Sequence, residues 1–261
     1  WNGDMYGVDM SKPGAQEYYN SVFALLASWD LDFVKVDDLA GHEPEIEAVR
    51  KAIDKTGRPM IFSISPHGST VARGEFVSTN ANMWRISDDF WDNWRSLVAQ
   101  FVRVNNWTPF RGPGHWPDAD MIPFGNVRAW ETSGWTHFTH DEHYLLMTLW
   151  SIARSPLILG GNLPKNDDFT LSVLINDEVI SVNQKSVNNR QLFHPNNVAA
   201  WIADVPGSKD KYVALFNTAP APAPSNRRRN GPVEMADNSA GTNAVSAAAA
   251  KLPVQITVSL A

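Results

Sequence analysis

Two pairs of adjacent carboxylates, each closing a short β-rich run, are the residues best placed to do chemistry. The runs are Phe33-Val34-Lys35-Val36-Asp37-Asp38 and Trp84-Arg85-Ile86-Ser87-Asp88-Asp89. Two carboxyl groups flanking one glycosidic bond can divide a difficult displacement into two easier ones. The first attacks the anomeric carbon and forms a glycosyl-enzyme. The second protonates the leaving oxygen and then deprotonates the incoming water. Retention of configuration requires the two groups about 5–5.5 Å apart, which two nearby strand ends can supply. A lone Asp at a strand end is equally well explained as a cap on the next helix. Paired carboxylates after two separate strands fit that explanation less well. Strand geometry narrows the choice further, because side chains two apart share a face and adjacent ones do not. Lys35 and Asp37 therefore point the same way, and only one of Asp88 and Asp89 can meet a substrate.

Such groups need a scaffold of strand ends, and the first half of the chain reads as one. Ser11-Lys12-Pro13 looks like a helix start, with Ser11 as N-cap. Tyr18, Val22, Leu25, Leu26 and Trp29 then recur at helical spacing and predict one apolar face. A strand over Asp32–Asp38 follows, then a helix over 43–55 through Ile46, Val49 and Ile53. Pro59–Ile64 reads as the next strand and Trp84–Ser87 as a third, with an amphipathic helix over 92–104 after it. Asp118–Phe124 is a fourth strand and Ser155–Leu159 a fifth. Between them Thr139 and Glu142 form a capping box. Strands alternating with helices predict parallel βα units, and in a βα barrel the active site gathers at the C-terminal ends of the strands.

Beyond residue 185 the texture changes. Asn197–Trp201 and Tyr212–Phe216 read as antiparallel strands joined by the turn Pro206-Gly207-Ser208-Lys209-Asp210. Residues 219–250 are rich in Ala, Pro, Ser and Asn and read as a low-complexity loop, followed by a last strand over Leu252–Leu260. The expected organisation is a βα catalytic domain over 1–185 and a small β-sandwich-like domain over 186–261.

Five motifs, in order, carry a resemblance. The Asp37 run resembles the Lys-Tyr-Asp nucleophile strand of the melibiase-type α-galactosidases, glycoside hydrolase family 27 of clan D. The Arg85 run resembles that family's second strand motif, an Arg followed four residues later by the acid/base Asp. Gly112-Pro113-Gly114-His115-Trp116-Pro117-Asp118-Ala119-Asp120-Met121 is similar to its Gly-Pro-Gly-Gly-Trp-Asn-Asp-Pro-Asp-Met run. Ser151–Ile158 resembles its last barrel strand, and Asp177–Gln184 its link to a β domain. The resemblance spans roughly residues 5–185. It implies a (β/α)8 TIM barrel followed by a small antiparallel β domain, and a retaining hydrolase of terminal α-D-galactosyl or closely related residues. Asp37 would be the nucleophile and Asp89 the acid/base. Lys35 and Arg85 would hold sugar hydroxyls, Asp120 and Met121 would line the sugar, and no cofactor or metal would be needed. The resemblance also implies a secreted or periplasmic protein.

The departures from that pattern are informative. The loop after Ile64 is Ser65-Pro66-His67-Gly68-Ser69, where the family carries a Trp and the residues that read the C2 substituent. Ser65 or His67 is the candidate for that task, and β-L-arabinopyranose, galactose without its C6 group, becomes an alternative sugar. The family's cysteines are absent, which suggests a divergent, bacterial branch. Only strands four to eight have counterparts, so the chain reads as N-terminally incomplete, without the first three strands and their acidic pair.

Composition bounds the rivals. A formal charge of -6, with Arg227-Arg228-Arg229 the longest basic run, argues against a nucleic-acid partner. No apolar run reaches the length of a membrane span. Without cysteine there is neither a disulfide framework nor a thiolate metal site. His140 and His143 share a helix face and could ligate a metal, but the capping box already accounts for Glu142. The remaining alternative is an impaired, purely carbohydrate-binding or structural protein. The intact Asp37 and Asp89 pair speaks against it.

Overall fold

The structure is a computed structural model that describes residues 3, 6–39, 41–65, 67–128 and 134–219. Four short strands form a parallel sheet in the order β1 (Phe33–Asp37), β2 (Ile61–Ser65), β3 (Met83–Arg85), β4 (Trp116–Asp118). Helix α1 (Ala15–Ser28) precedes β1. The crossovers are α2 (Glu43–Thr56), α3 (Gly74–Asn80) and α4 (Trp94–Asn106), and α5 (His140–Ala153) follows β4. This is the βα arrangement the sequence predicts, an arc of a TIM barrel.

Local chemistry sets the helix ends. Asn93 accepts a hydrogen bond from the Ser96 amide at the start of α4. Thr139 and Glu142 make the predicted capping box on α5. α2 stops at Gly57, whose φ of 70° only glycine adopts readily. The start of α1 differs from expectation. The helix begins at Ala15 with Gly14 at its cap and no side-chain capping bond. Ser11 is diverted: its amide and hydroxyl both donate to Asp9 Oδ1, at 3.0 and 2.6 Å. The single apolar face predicted for α1 is also split. Val22, Phe23 and Leu26 pack on the core, whereas Tyr18, Leu25 and Trp29 are exposed.

Register sorts the sheet into two faces. Lys35 pairs with Ser63, Ser63 with Met83 and Met83 with Trp116. One layer further on, Asp37 pairs with Ser65 and Arg85 with Asp118. Residues in register on parallel strands project to the same side. The alternate residues Val34, Val36, Phe62, Ile64, Trp84 and Pro117 occupy the other face. There Phe62, Ile64 and Trp84 are fully buried in a core shared with Ile46, Val49 and Ile53 of α2, Leu97 and Phe101 of α4, and Leu149 and Trp150 of α5. Each such side chain contributes about 1.5–3 kcal/mol by leaving water. The polar face, which would line a barrel's interior, also carries Phe33 and Ile61, both exposed here.

Two strand expectations shift. The fourth strand ends at Asp118 rather than running to Phe124, because Asp120 has a φ of 80° and turns the chain out of the extended region. The fifth strand, Ser155–Leu159, is present as one parallel bridge between Ile122 and Leu159.

Short helices α6 (Asp168–Leu174) and α7 (Asp177–Lys185) lead to an antiparallel sheet of β5 (Val187–Phe193), β6 (Val198–Asp204) and β7 (Lys211–Asn217). Trp201 and Phe216 of this sheet join the main core, where the Phe216 ring meets Phe101 edge-on at 4.9 Å. The predicted strand Leu252–Leu260, Arg227-Arg228-Arg229 and all but Ala219 of the low-complexity stretch lie outside the described residues. Among the described residues no helix is long and apolar enough to cross a membrane.

Candidate active site

Each of the four parallel strands ends on a polar residue: Asp37, Ser65, Arg85 and Asp118. Register places all four on the polar face of the sheet, at the end where barrel active sites form. Lys35 lies one layer below Asp37 on the same face, with its Nζ 3.1 Å from Asp37 Oδ1. Both side chains are largely open to solvent.

Arg85 is the hub of the site. Its side chain is only 4% exposed, yet its Nη2 reaches Asp120 Oδ2 at 3.0 Å and Asp89 Oδ1 at 3.3 Å. Asp89 itself is 81% exposed, so the acid/base candidate reaches into solvent from a buried anchor. Asp88 is used differently: its Oδ1 accepts the Gly68 amide at 3.3 Å, tying the loop after β2 to the loop after β3. Asp120 Oδ2 also accepts the Phe90 amide at 2.6 Å. Beneath them Asp118 is buried, and burial pushes its carboxyl up to about 7 despite the nearby cations Arg85 and Lys35.

The remaining sequence candidates fall on the rim. Ser65 is half-buried beside Asp37, and its carbonyl accepts the Asp38 amide at 3.1 Å. His67 sits on the exposed loop after β2 with a φ of 46°. The Met121 thioether lies where a Cβ on Gly160 would fall, at 2.6 Å, so the close approach demands glycine there. His140 stacks on Phe169 at 3.5 Å, and His143 is buried with Nδ1 2.8 Å from the Thr139 carbonyl oxygen. Both rings thus have structural work on α5.

A model of the alpha galactosidase A family of melibiases matches residues 5–185. This chain belongs to that family. Among solved structures it superposes on the GH27 β-L-arabinopyranosidase of Geobacillus stearothermophilus with a TM-score of 0.78 and 46% identity, covering 83% of this chain and 52% of that one. An arabinose complex of a variant of the same enzyme gives a TM-score of 0.79 at 45% identity, covering 83% and 53%. Among curated relatives, an alpha-galactosidase of Oryza sativa subsp. japonica is 28% identical over 211 residues, covering 78% of this chain and 48% of that one. The chain spans about half the length of the relatives it matches.

Two features of this melibiase-family chain were not legible as site residues. One is Asp118, whose burial depends on the partner strands. The other is Asp92, which has 1% of its side chain exposed and joins two loops beside the site. It accepts a paired ion bridge from Arg128 and the His137 amide. Burial pushes the Asp92 carboxyl up, but Arg128 and the His137 amide outweigh this and hold it below its ordinary value. Asp92→Ala should therefore cost about 1–3 kcal/mol, since it removes the acceptor that Arg128 and the His137 amide share. Urea denaturation would measure this as a lowered midpoint.

A cavity of about 1080 Å³ lies at the opposite end of β4, lined by Arg111, Trp116, Arg154 and Lys211. Its arginines are engaged in holding elements together. Arg111 donates to the carbonyls of Ala153 and Asn189. Arg154 donates to that of Asn183 and lies 4.8 Å over the Trp116 ring. The polar strand ends Asp37, Ser65, Arg85 and Asp118 lie at the other end of the sheet.

Proposed function

We propose that this chain supplies the catalytic carboxylates of a retaining glycoside hydrolase, with Asp37 as nucleophile and Asp89 as acid/base. The observation that carries the reading is the convergence of Asp37, Ser65, Arg85 and Asp118 at four successive strand ends, with Lys35 beside Asp37 and Asp89 on Arg85. Lys35 and Arg85 are the donors for sugar hydroxyls. Asp120 and Met121 form the wall, and Ser65 and His67 face the C2 side. The same reading divides the chain near residue 185, where parallel βα units give way to antiparallel strands.

The sugar is a terminal α-D-galactosyl residue or its near relative. A second reading, β-L-arabinopyranosyl, is favoured by the 46% identity to an arabinopyranosidase against 28% to a plant alpha-galactosidase. The two sugars share their ring hydroxyl layout and differ at C6, so one site geometry serves both.

The test follows hydrolysis of aryl α-D-galactopyranoside and aryl β-L-arabinopyranoside by proton NMR, using the full natural polypeptide. The first-formed sugar should keep the anomeric configuration of its substrate before mutarotation. An inverted first product would overturn the double displacement, and the ratio of kcat/KM values decides between the sugars.

A further inference from the structure

We infer that Asp118 is a positioning residue for the sugar site: it holds the Asp120 amide, and so fixes the left-handed turn that presents the Asp120 carboxylate to Arg85. The inference deepens the glycosidase reading and rests on it for the role of Asp120.

The geometry runs as a chain of contacts. Asp118 closes β4 in register with Arg85 of β3. Its Oδ1 accepts the Asp120 amide at 2.8 Å, a side-chain bond to the backbone two residues on. Asp120 has a φ of 80°, a conformation that a residue other than glycine holds only when its surroundings fix it. Held there, Asp120 Oδ2 reaches Arg85 Nη2 at 3.0 Å and the Phe90 amide at 2.6 Å. Two further bonds brace the same turn. The Ala119 amide donates to Ser155 Oγ at 3.0 Å, and the Trp150 indole donates to the Asp120 carbonyl at 3.0 Å. Asp118 is the member of this set that acts on the Asp120 amide itself.

A buried carboxyl is a costly way to accept one amide, since desolvation opposes its charged form. The burial that raises the Asp118 carboxyl to about 7 leaves it partly protonated near neutral pH, and the amide needs only an oxygen. The role therefore predicts a distinctive pattern of substitution. Asn keeps the acceptor without the charge, whereas Leu keeps the shape and buries well but offers no acceptor.

The experiment compares Asp118→Asn and Asp118→Leu in the full natural polypeptide, with two readouts. The first is the proton shift and hydrogen exchange of the Asp120 amide in labelled protein, which needs no activity. The second is the split between KM and kcat on the better aryl glycoside. Asp118→Asn should keep the Asp120 amide protected and hold KM within about twofold. Asp118→Leu should expose that amide and raise KM about tenfold, the scale of one lost hydrogen bond, with kcat much less affected. If Asp118→Leu does not fold, Asp118→Ala is measured in its place against the same expectations. An unchanged Asp120 amide in the variant without an acceptor would overturn the inference. So would a KM loss as large in Asp118→Asn as in Asp118→Leu, or altered thermal stability with KM unmoved. If the wild type hydrolyses no glycoside, the functional reading fails on its own, and the amide readout still decides the role of Asp118.

Discussion

Asp37→Ala is expected to lower kcat on an aryl glycoside by about 10⁴-fold or more, and millimolar azide should restore part of it as the inverted glycosyl azide. The size follows from what is lost. Without the carboxylate there is no covalent intermediate, and water must displace the leaving group directly across a gap the size of the missing side chain. Azide is small and anionic, so it fits that gap and approaches from the face Asp37 occupied. A single displacement replaces a double one, and the configuration inverts. Lys35 makes the rescue more favourable, because its ammonium, 3.1 Å from Asp37 Oδ1 in the parent, remains as a counter-ion for the incoming azide. Near-normal activity in Asp37→Ala would remove Asp37 from the mechanism. A retained azide product would mean that another carboxylate is the nucleophile.

The strand ends that carry the candidate residues are legible in the sequence, and the features that are not share a cause. Alternation in Phe33–Asp37 is a local property, and the strand forms there with exposure alternating as the period requires. The capping box at Thr139 is likewise written in four residues. Asp120 is the contrasting case. Its run looks extended to Phe124, but its φ of 80° is set by Asp118, Arg85 and Phe90, two of which lie on another strand and its loop. Helix α3 begins on Gly74 and contains Val77 and Thr79, a weak helix by propensity. It is held by packing, with the Phe110 ring so close to Gly74 that a Cβ would meet it at 2.3 Å. For α1, periodicity located apolar residues but not their partners. Phe23 found the core, while Tyr18, Leu25 and Trp29 lie on the exposed side. Local pattern thus gave the strand ends and the polar residues they carry. The orientation of each carboxylate came from contacts distant in the chain.

The same distinction decides between Asp88 and Asp89, and Asp89→Ala supplies the expected result that separates them. With a poor alkyl leaving group, kcat/KM falls about 10²–10⁴-fold, because the departing oxygen then leaves unprotonated. With a strongly acidic phenol as leaving group, kcat/KM changes little, since that step needs no proton. There kcat still falls, because the intermediate now waits for water without a general base. Azide needs no base, so it restores kcat and yields the retained glycosyl azide, opposite to the product of Asp37→Ala. Asp88→Ala should leave this pattern near that of the parent, for the Asp88 carboxylate accepts the Gly68 amide. Asp89 instead shares the Arg85 guanidinium with Asp120, so on the proposed reading the residue that orients the sugar wall also orients the acid. An equal loss on all leaving groups would take the acid role from Asp89. The leaving-group dependence appearing in Asp88→Ala instead would hand that role to its neighbour.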